Sequence, residues 1–329
     1  MANEAIGRQN SSIRGKTHYF VDDLKPTSPI FIGGPTAAGK SEIALALAEK
    51  IGGEIISVDS MQVYRGLDVG TAKPSSAERV RVPHHLIDIC DLRETFDAAQ
   101  FVDHARTAVA DVHARHRTPV FCGGTGLYFK AFLEGLGEAP AMRVPLRAEL
   151  EATPLETLLA ELQTVDPATY ETIDKRNPRR VVRAIEVIRL TGKPFSAQRA
   201  AWAAAASGSP TRNFFVLWRQ ARDSHTRINQ RVDKMFERGL LAETEQLLQQ
   251  GLAQNKTAMQ AIGYRQVVEH LRGERNLSET VELVKSRTRQ FAKRQLTWFR
   301  RHAHSHWIEL RDRETAEETA GRILAKAKT

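Results

Sequence analysis

Residues 30–41 read Ile30-Phe31-Ile32-Gly33-Gly34-Pro35-Thr36-Ala37-Ala38-Gly39-Lys40-Ser41: an apolar run, a glycine-rich turn and the start of an alanine-rich stretch of helical composition. The segment Gly34-Pro35-Thr36-Ala37-Ala38-Gly39-Lys40-Ser41 fits GxxxxGK[ST] in the strand–loop–helix context that gives this pattern its meaning. Glycines let such a loop curl so that successive backbone N–H groups and a helix N-terminus face a phosphate. Lys40 adds a point charge for phosphate oxygens, and the Ser41 hydroxyl is of a kind that ligates Mg²⁺. The motif points to a diphosphate or triphosphate and leaves the reaction open; a chance Gly-rich turn is its bland alternative.

Working outward, Glu54–Val58 reads as a second strand ending at Asp59, His85–Cys90 as a third, Pro119–Cys122 as a fourth and Asn213–Trp218 as a fifth. Helical composition covers 97–116, and the order of elements predicts an α/β fold: a P-loop NTPase-like parallel sheet flanked by helices. Between Leu136 and Arg212 strand signals stop, and 146–150, 155–162 and 179–190 read as helices broken by prolines. The expected organisation is a mobile extension over 1–28, a core over 29–135 and 213–329, and a helical insertion domain over 136–212. Helices are expected at 223–250, 260–272, 278–303 and 315–327, with a short strand over 306–310.

Composition narrows the classes. The chain has 329 residues, 41% hydrophobic and 26% charged, within the range of a folded globular protein. No apolar run reaches the ~18 residues of a membrane span. Residues 1–28 are polar, without a signal-like segment, so a cytoplasmic location is expected. Two cysteines, Cys90 and Cys122, allow at most one disulfide and no all-cysteine zinc site. The formal charge is +9, and it is unevenly placed. Residues 213–329 hold 22 basic and 14 acidic side chains, against 15 and 16 in residues 1–136. A clustered positive field suits a polyanion partner, with a solvated basic surface as the alternative.

No later apolar strand ends in the acidic pair that an ATPase uses to hold Mg²⁺ and prime water. Instead Asp59 closes the strand after the phosphate-loop helix, where strand ends in such sheets meet ligand. A carboxylate there can accept a proton from an attacking nucleophile; ordering Mg²⁺ or capping a turn are its other readings. Thr125, in Gly124-Thr125-Gly126, is expected to bring a hydroxyl to the same edge.

These pieces together resemble the tRNA dimethylallyltransferase (tRNA isopentenyltransferase) family, bacterial type. The matching stretches are GPTAAGKS (34–41), DSMQVYRGLDVGTAKP (59–74), GGTGLYFKAFLEGL (123–136), NPRRVVRAIEV (177–187), AIGYRQ (261–266) and AKRQLTWFRR (292–301). The resemblance implies transfer of a dimethylallyl group from its diphosphate to N6 of the adenosine next to the anticodon, position 37 of the tRNA. It implies that Thr36 and Lys40 contact the diphosphate, Ser41 supports Mg²⁺, Arg231 clamps the leaving diphosphate and Asp59 is the general base. Ser60, Met61 and Gln62 would lie against the flipped base, with Gln62 pairing with its edge. Thr125, Arg147, Arg179, Arg180, Arg183, Gly263, Tyr264, Arg265, Gln266, Lys293, Arg294 and Arg300 would meet the tRNA anticodon stem-loop.

On the last long helix, Arg287, Arg294 and Arg301 share one stripe and Lys285, Arg289 and Lys293 another, both expected to face RNA. Phe291, Leu296, Trp298 and Phe299 are expected in the core. AAGKS stands where the family more often has ASGKT, and Met61 where Ala is commoner. The extension has no counterpart in the short bacterial pattern, and the Cys/His zinc finger of eukaryotic members is missing. His302, His304 and His306 have no cysteine nearby and are not expected to bind metal. A P-loop small-molecule kinase, an adenylate isopentenyltransferase and an RNA-binding NTPase switch remain as alternatives. A monomer is expected, since no exposed apolar stripe demands a partner.

Overall fold

The computed structural model describes residues 28–136, 140, 142–198, 213–302 and 305–327. The expected N-terminal extension lies outside the described residues, apart from its last position, as do part of the insertion and His304. Six parallel strands form one sheet in the order β3-β2-β4-β1-β5-β6: β1 Ile30–Gly33, β2 Glu54–Val58, β3 His84–His85, β4 Pro119–Gly123, β5 Phe214–Trp218 and β6 His306–Glu309.

Alternation along the strands explains why both faces are covered, because successive side chains point to opposite sides. Ile30 and Ile32 join one core cluster and Phe31 the other; Phe215 and Leu217 separate in the same way from Phe214 and Val216. The first face packs on α1 (Lys40–Ile51) and α13 (Ala316–Ala327). The second packs on α3 (Ala98–Ala114), α4 (Gly126–Glu134), α9 (Ala221–Glu237), α10 (Leu240–Gln249), α11 (Tyr264–Leu271) and α12 (Leu277–His302). Its centre is aromatic: Phe31 stacks on Phe121 at 4.8 Å and Phe129 meets Phe214 at 5.0 Å. Helices α5 (Val144–Ala152), α6 (Leu155–Val165), α7 (Pro167–Thr172) and α8 (Pro178–Thr191) share a third, smaller core around Leu150, Leu162 and Ile185.

Two expectations are corrected, and three further helices are added. The third strand ends at His85, because Leu86 and Asp88 take positive φ of 61° and 58°, leaving only an isolated bridge from Cys90 to Tyr64. Asp88 is drawn out of line by ion pairs to Lys73 and Arg79. The helix read over 223–250 is two, divided at Gly239, whose φ of 91° suits glycine alone. The short helix α2 (Ser76–Arg81), closed by a Ser75–Glu78 capping box, and α4 and α7 carry too little periodicity to be read from sequence.

At the opposite end of the sheet from the strand-end loops, buried Glu54 accepts two hydrogen bonds from Arg115, at 3.0 and 2.6 Å, and meets His85 at 2.6 Å. Burial raises its pKa, but Arg115 and His85 outweigh this and hold it below the ordinary value. Glu54→Gln is expected to lower unfolding stability at pH 7 by about 1–3 kcal/mol, through loss of charge-assisted hydrogen bonds. Because the folded pKa is depressed, that contribution is present above the unfolded value and fades as acid protonates the native carboxylate. Urea unfolding at pH 7 and pH 4 checks both parts, and an equal difference at the two values would contradict the assignment.

Candidate active site

The carboxyl ends of β1, β2, β4 and β5 deliver the phosphate loop, Asp59, Gly124-Thr125 and Arg219 to one edge. The loop turns through positive φ at Gly34 (143°), Ala37 (61°) and Gly39 (99°). Gly34 is obligatory twice over, since a Cβ there would lie 2.3 Å from the Leu217 carbonyl oxygen. Gly34, Pro35 and Ala38 are buried and shape the turn. Ala37, Gly39, Lys40 and Ser41 line a cleft of about 440 Å³.

The opposite wall is α9, which presents Arg227, Arg231 and Lys234 on one face, with Arg238 just past its end. Lys40 Nζ donates to the Pro35 carbonyl at 2.7 Å, Arg227 to Ala37 O at 3.1 Å and Arg219 to Ala38 O at 3.1 Å. Burial pulls Lys40 down to about 8; Cys122 and Asp59 oppose this, and Arg231 reinforces it. Burial also lowers Arg231, which Asp59 counteracts, and pushes the Cys122 thiol up to about 11. Asp59 therefore lies within electrostatic reach of the phosphate-loop lysine and of the α9 arginine.

Asp59 Oδ1 accepts from the backbone N–H of Met61 at 2.8 Å and of Gln62 at 3.3 Å, so it does cap a turn. That contact fixes the carboxylate, and among the described residues no hydrogen bond engages its second oxygen. Thr125 Oγ1 accepts from Ser60 N at 3.2 Å, which brings the β4 loop beside Asp59 as expected. Gln62 spends its carboxamide inside the protein, accepting from Ser57 Oγ and donating to the Thr71 carbonyl.

The structure corrects the assignment of several residues to an RNA face. Tyr264 and Gln266 are buried, and Gly263 sits beneath them with its N–H donating to Gln266 Oε1. The Tyr264 hydroxyl donates to Glu243 at 2.5 Å and accepts from Gly70 N at 3.1 Å, while Glu243 also accepts from Val69 N. Their task is to pin residues 68–74, part of the cleft wall; Arg265 alone of AIGYRQ is exposed. Lys285 is tied to Asp233 and Arg289 to Asn229, so of that stripe Lys293 alone is well exposed. Arg287, Arg294, Arg300 and Arg301 are exposed. Phe299 is buried, Leu296 and Trp298 half-buried, whereas Phe291 is 36% exposed with the Arg294 guanidinium 5.8 Å from its ring.

In the helical segment, Arg147 and Arg183 share the buried carboxylate of Glu186, Arg179 donates to the Lys256 carbonyl, and Arg180 is exposed. Sequence reasoning missed Arg219, Arg227, Glu243 and Gln295. A basic spacing of four, three and four from Arg227 to Arg238 was the available signal for the α9 face. For the metal, the Ser41 hydroxyl lines the cleft without a hydrogen-bond partner among the described residues, a fit to an ion held mainly by substrate oxygens and water. Among the described residues there is no His/Cys/Asp/Glu cluster for a protein-held metal.

The architecture is a phosphate-loop α/β core with a cationic cleft and a carboxylate, Asp59, at the end of a neighbouring strand. The model of the IPP transferase family matches residues 62–302, and the chain belongs to that family. It is thus a transferase. It is 46% identical over 283 residues to a tRNA dimethylallyltransferase of Trichlorobacter lovleyi, covering 85% of this chain and 92% of that protein. Its likeness to the Geobacter metallireducens tRNA dimethylallyltransferase is 45% over 288 residues, 86% and 93% of the two chains. The solved tRNA isopentenylpyrophosphate transferase of Bacillus halodurans superposes with a TM-score of 0.65 at 38% identity, over 92% of this chain and 97% of that one. A eukaryotic dimethylallyltransferase crystallised acting on tRNA gives 0.70 at 28% identity, covering 87% and 74%.

The Lys40 environment makes anion binding pH-dependent. An anion favours the ammonium form and raises its pKa above about 8, so proton uptake accompanies binding and affinity falls as pH climbs past that value. Calorimetry with inorganic diphosphate is expected to show up to roughly ten-fold weaker binding per pH unit there, beyond whatever Lys40→Met shows. Matching pH profiles for the two proteins would refute the role given to Lys40.

Proposed function

We propose that this chain transfers the dimethylallyl group of dimethylallyl diphosphate to N6 of adenosine 37 in the anticodon stem-loop of tRNA. The observation that carries the reading is that the strand ends bring the phosphate loop, which lines the cationic cleft, and the turn-fixed carboxylate of Asp59 to one edge of the sheet. The relatives named above supply the substrate class.

In this reading the adenine amine attacks the first carbon of the dimethylallyl group, the C–O bond to the diphosphate breaks, and the amine proton passes to the free oxygen of Asp59. The amine is a poor nucleophile because its lone pair is delocalised into the ring, so a positioned base contributes typically ~10²–10⁴-fold. Lys40, Arg227 and Arg231, with the loop N–H groups, stabilise the charge that builds on the departing diphosphate. Mg²⁺, held by Ser41 and the diphosphate oxygens, would add to that neutralisation. Thr36, at the base of the loop, belongs to the donor side, and Ser60, Met61 and Thr125 to the side that receives the base. The exposed stripe Arg287, Arg294 and Arg301, with Lys293, Arg300, Arg180 and Arg265, makes phosphate contacts, while an anticodon loop offers the unpaired bases that proteins read. Among the described residues no helix is long and apolar enough to cross a membrane.

Labelled dimethylallyl diphosphate is offered with tRNA bearing A next to the anticodon, with AMP, or with no acceptor. Label in tRNA is the expected result; label in AMP alone, or ATP turnover without transfer, would overturn it. Asp59→Asn keeps an oxygen for the Met61 and Gln62 N–H groups while removing the base. It is expected to cut transfer by about 10²–10⁴-fold and leave tRNA affinity within a few-fold. Charge reversal at Arg287, Arg294 and Arg301 is expected to weaken tRNA binding and shrink its log–log salt slope by about 0.7–0.9 per lost phosphate contact. An unchanged slope would show that this stripe faces elsewhere.

A further inference from the structure

We infer that Gln295 is a positioning residue for the transfer reaction: a single carboxamide that ties the phosphate loop to the β4 strand-end loop and sets the spacing between the donor and acceptor halves of the site. The inference rests on the function proposed above for its catalytic consequence, and on geometry alone for its existence.

Gln295 lies on α12, 8% exposed, and bonds at both ends of its amide. Oε1 accepts from the backbone N–H of Thr36 at 2.8 Å, inside the phosphate loop. Nε2 donates to the carbonyl of Gly124 at 3.0 Å. From Gly124 the path is short: the next residue, Thr125, accepts from Ser60 N through its hydroxyl and donates its own N–H to the Val58 carbonyl. Ser60 adjoins Asp59, whose Oδ1 holds the following turn. One side chain therefore bridges the loop that holds a diphosphate and the loop that braces the carboxylate.

The surroundings are shaped for this contact. A Cβ on Gly124 would lie 2.2 Å from Gln295 Nε2, one on Gly126 2.2 Å from the Trp298 ring, and one on Gly33 2.7 Å from the Phe299 ring. Residues 295, 298 and 299 form one face of α12, and three glycines at the ends of β1 and β4 clear the space for it. The chemistry is also selective. A neutral amide offers a donor and an acceptor together; a carboxylate offers only acceptors, a thioether only a weak one, and an ammonium only donors. An adjoining face of the helix exposes Arg287, Arg294 and Arg301, so the element that would seat RNA is the same rigid rod that spaces the two loops.

The full-length chain is compared with Gln295→Met, which removes both bonds at similar length, and Gln295→Glu, which keeps only the acceptor for Thr36. Displacing reacting groups by about 1 Å costs on the order of 10²-fold. Gln295→Met is therefore expected to lower kcat by roughly that factor and to weaken inorganic diphosphate binding by about ten-fold, with the Kd for tRNA within about three-fold of wild type. Gln295→Glu is expected to recover most of the diphosphate affinity but little of kcat, because Gly124 still lacks its donor. A kcat for Gln295→Met within about three-fold of wild type would overturn the inference, on the scale of the displacement cost. So would parallel loss of kcat, tRNA affinity and unfolding midpoint in both variants, the pattern of a packing residue. Should the wild-type protein fail to transfer label to tRNA, the functional reading falls. Diphosphate calorimetry then decides Gln295 independently: wild type and Gln295→Glu binding more tightly than Gln295→Met supports it, and three equal affinities refute it.

Discussion

A phosphate site made of backbone N–H groups works only if the carbonyls of the same loop are held elsewhere. Here three of them are held by cations. Lys40 takes the Pro35 carbonyl, Arg227 that of Ala37 and Arg219 that of Ala38. With these oxygens engaged, the peptide planes that follow Pro35, Ala37 and Ala38 are set, and the negative ends of their dipoles meet positive charge. The arrangement costs strain at Ala37, a non-glycine residue at positive φ, which persists because two arginines from distant segments and a buried contact at Gly34 over-determine it. Everything else at this edge of the sheet is arranged around that loop.

Two elements late in the chain serve the early motifs. Tyr264 and Glu243 anchor Val69 and Gly70, and a Cβ on Gly70 would lie 2.4 Å from the Tyr264 ring. Helix α12 approaches Gly33, Gly124 and Gly126 in the same manner. Glycines that look from sequence like freedom for a loop are here mostly room for a neighbour. The buried side of AIGYRQ and of AKRQLTWFRR thus belongs to the scaffold around the phosphate loop and its cleft, and the exposed side of the second carries the arginine stripe.

Periodicity and the glycine-rich turn made the core sheet legible, because its strands are buried on both faces and read as short apolar runs. Five of six strands lie within a residue or so of their expected limits. The third did not, since its last residues are bent by Lys73 and Arg79 pairing with Asp88, contacts that local pattern does not encode. At the site, Asp59, Lys40 and Thr125 were legible because strand ends in such sheets converge. Arg219, Arg227, Glu243 and Gln295 were not, because each acts on backbone atoms more than 100 residues away in sequence. Motifs place chemistry along a chain, but which face of a motif helix is buried is decided by its partner.

That distinction divides the positive charge into two fields of different kind. On α9, Arg227 and Arg231 turn into the cleft, where desolvation strengthens their pull on a compact anion, while Lys234 and the adjoining Arg238 line it from exposed positions. On α12, Arg287, Arg294 and Arg301 stand in solvent, where attraction is long-ranged at low salt and screened at high. Lys285 and Arg289, which share a stripe with Lys293, face neither ligand: they bond Asp233 and Asn229 on α9 and lock the two helices together. The cationic wall of the cleft and the outward arginine stripe are therefore carried by one braced helix pair. Gln295 sits on the inner face of that pair and reaches the phosphate loop from it. A polyanion resting on the outer stripe would thus load the same helix that spaces the two loops of the site.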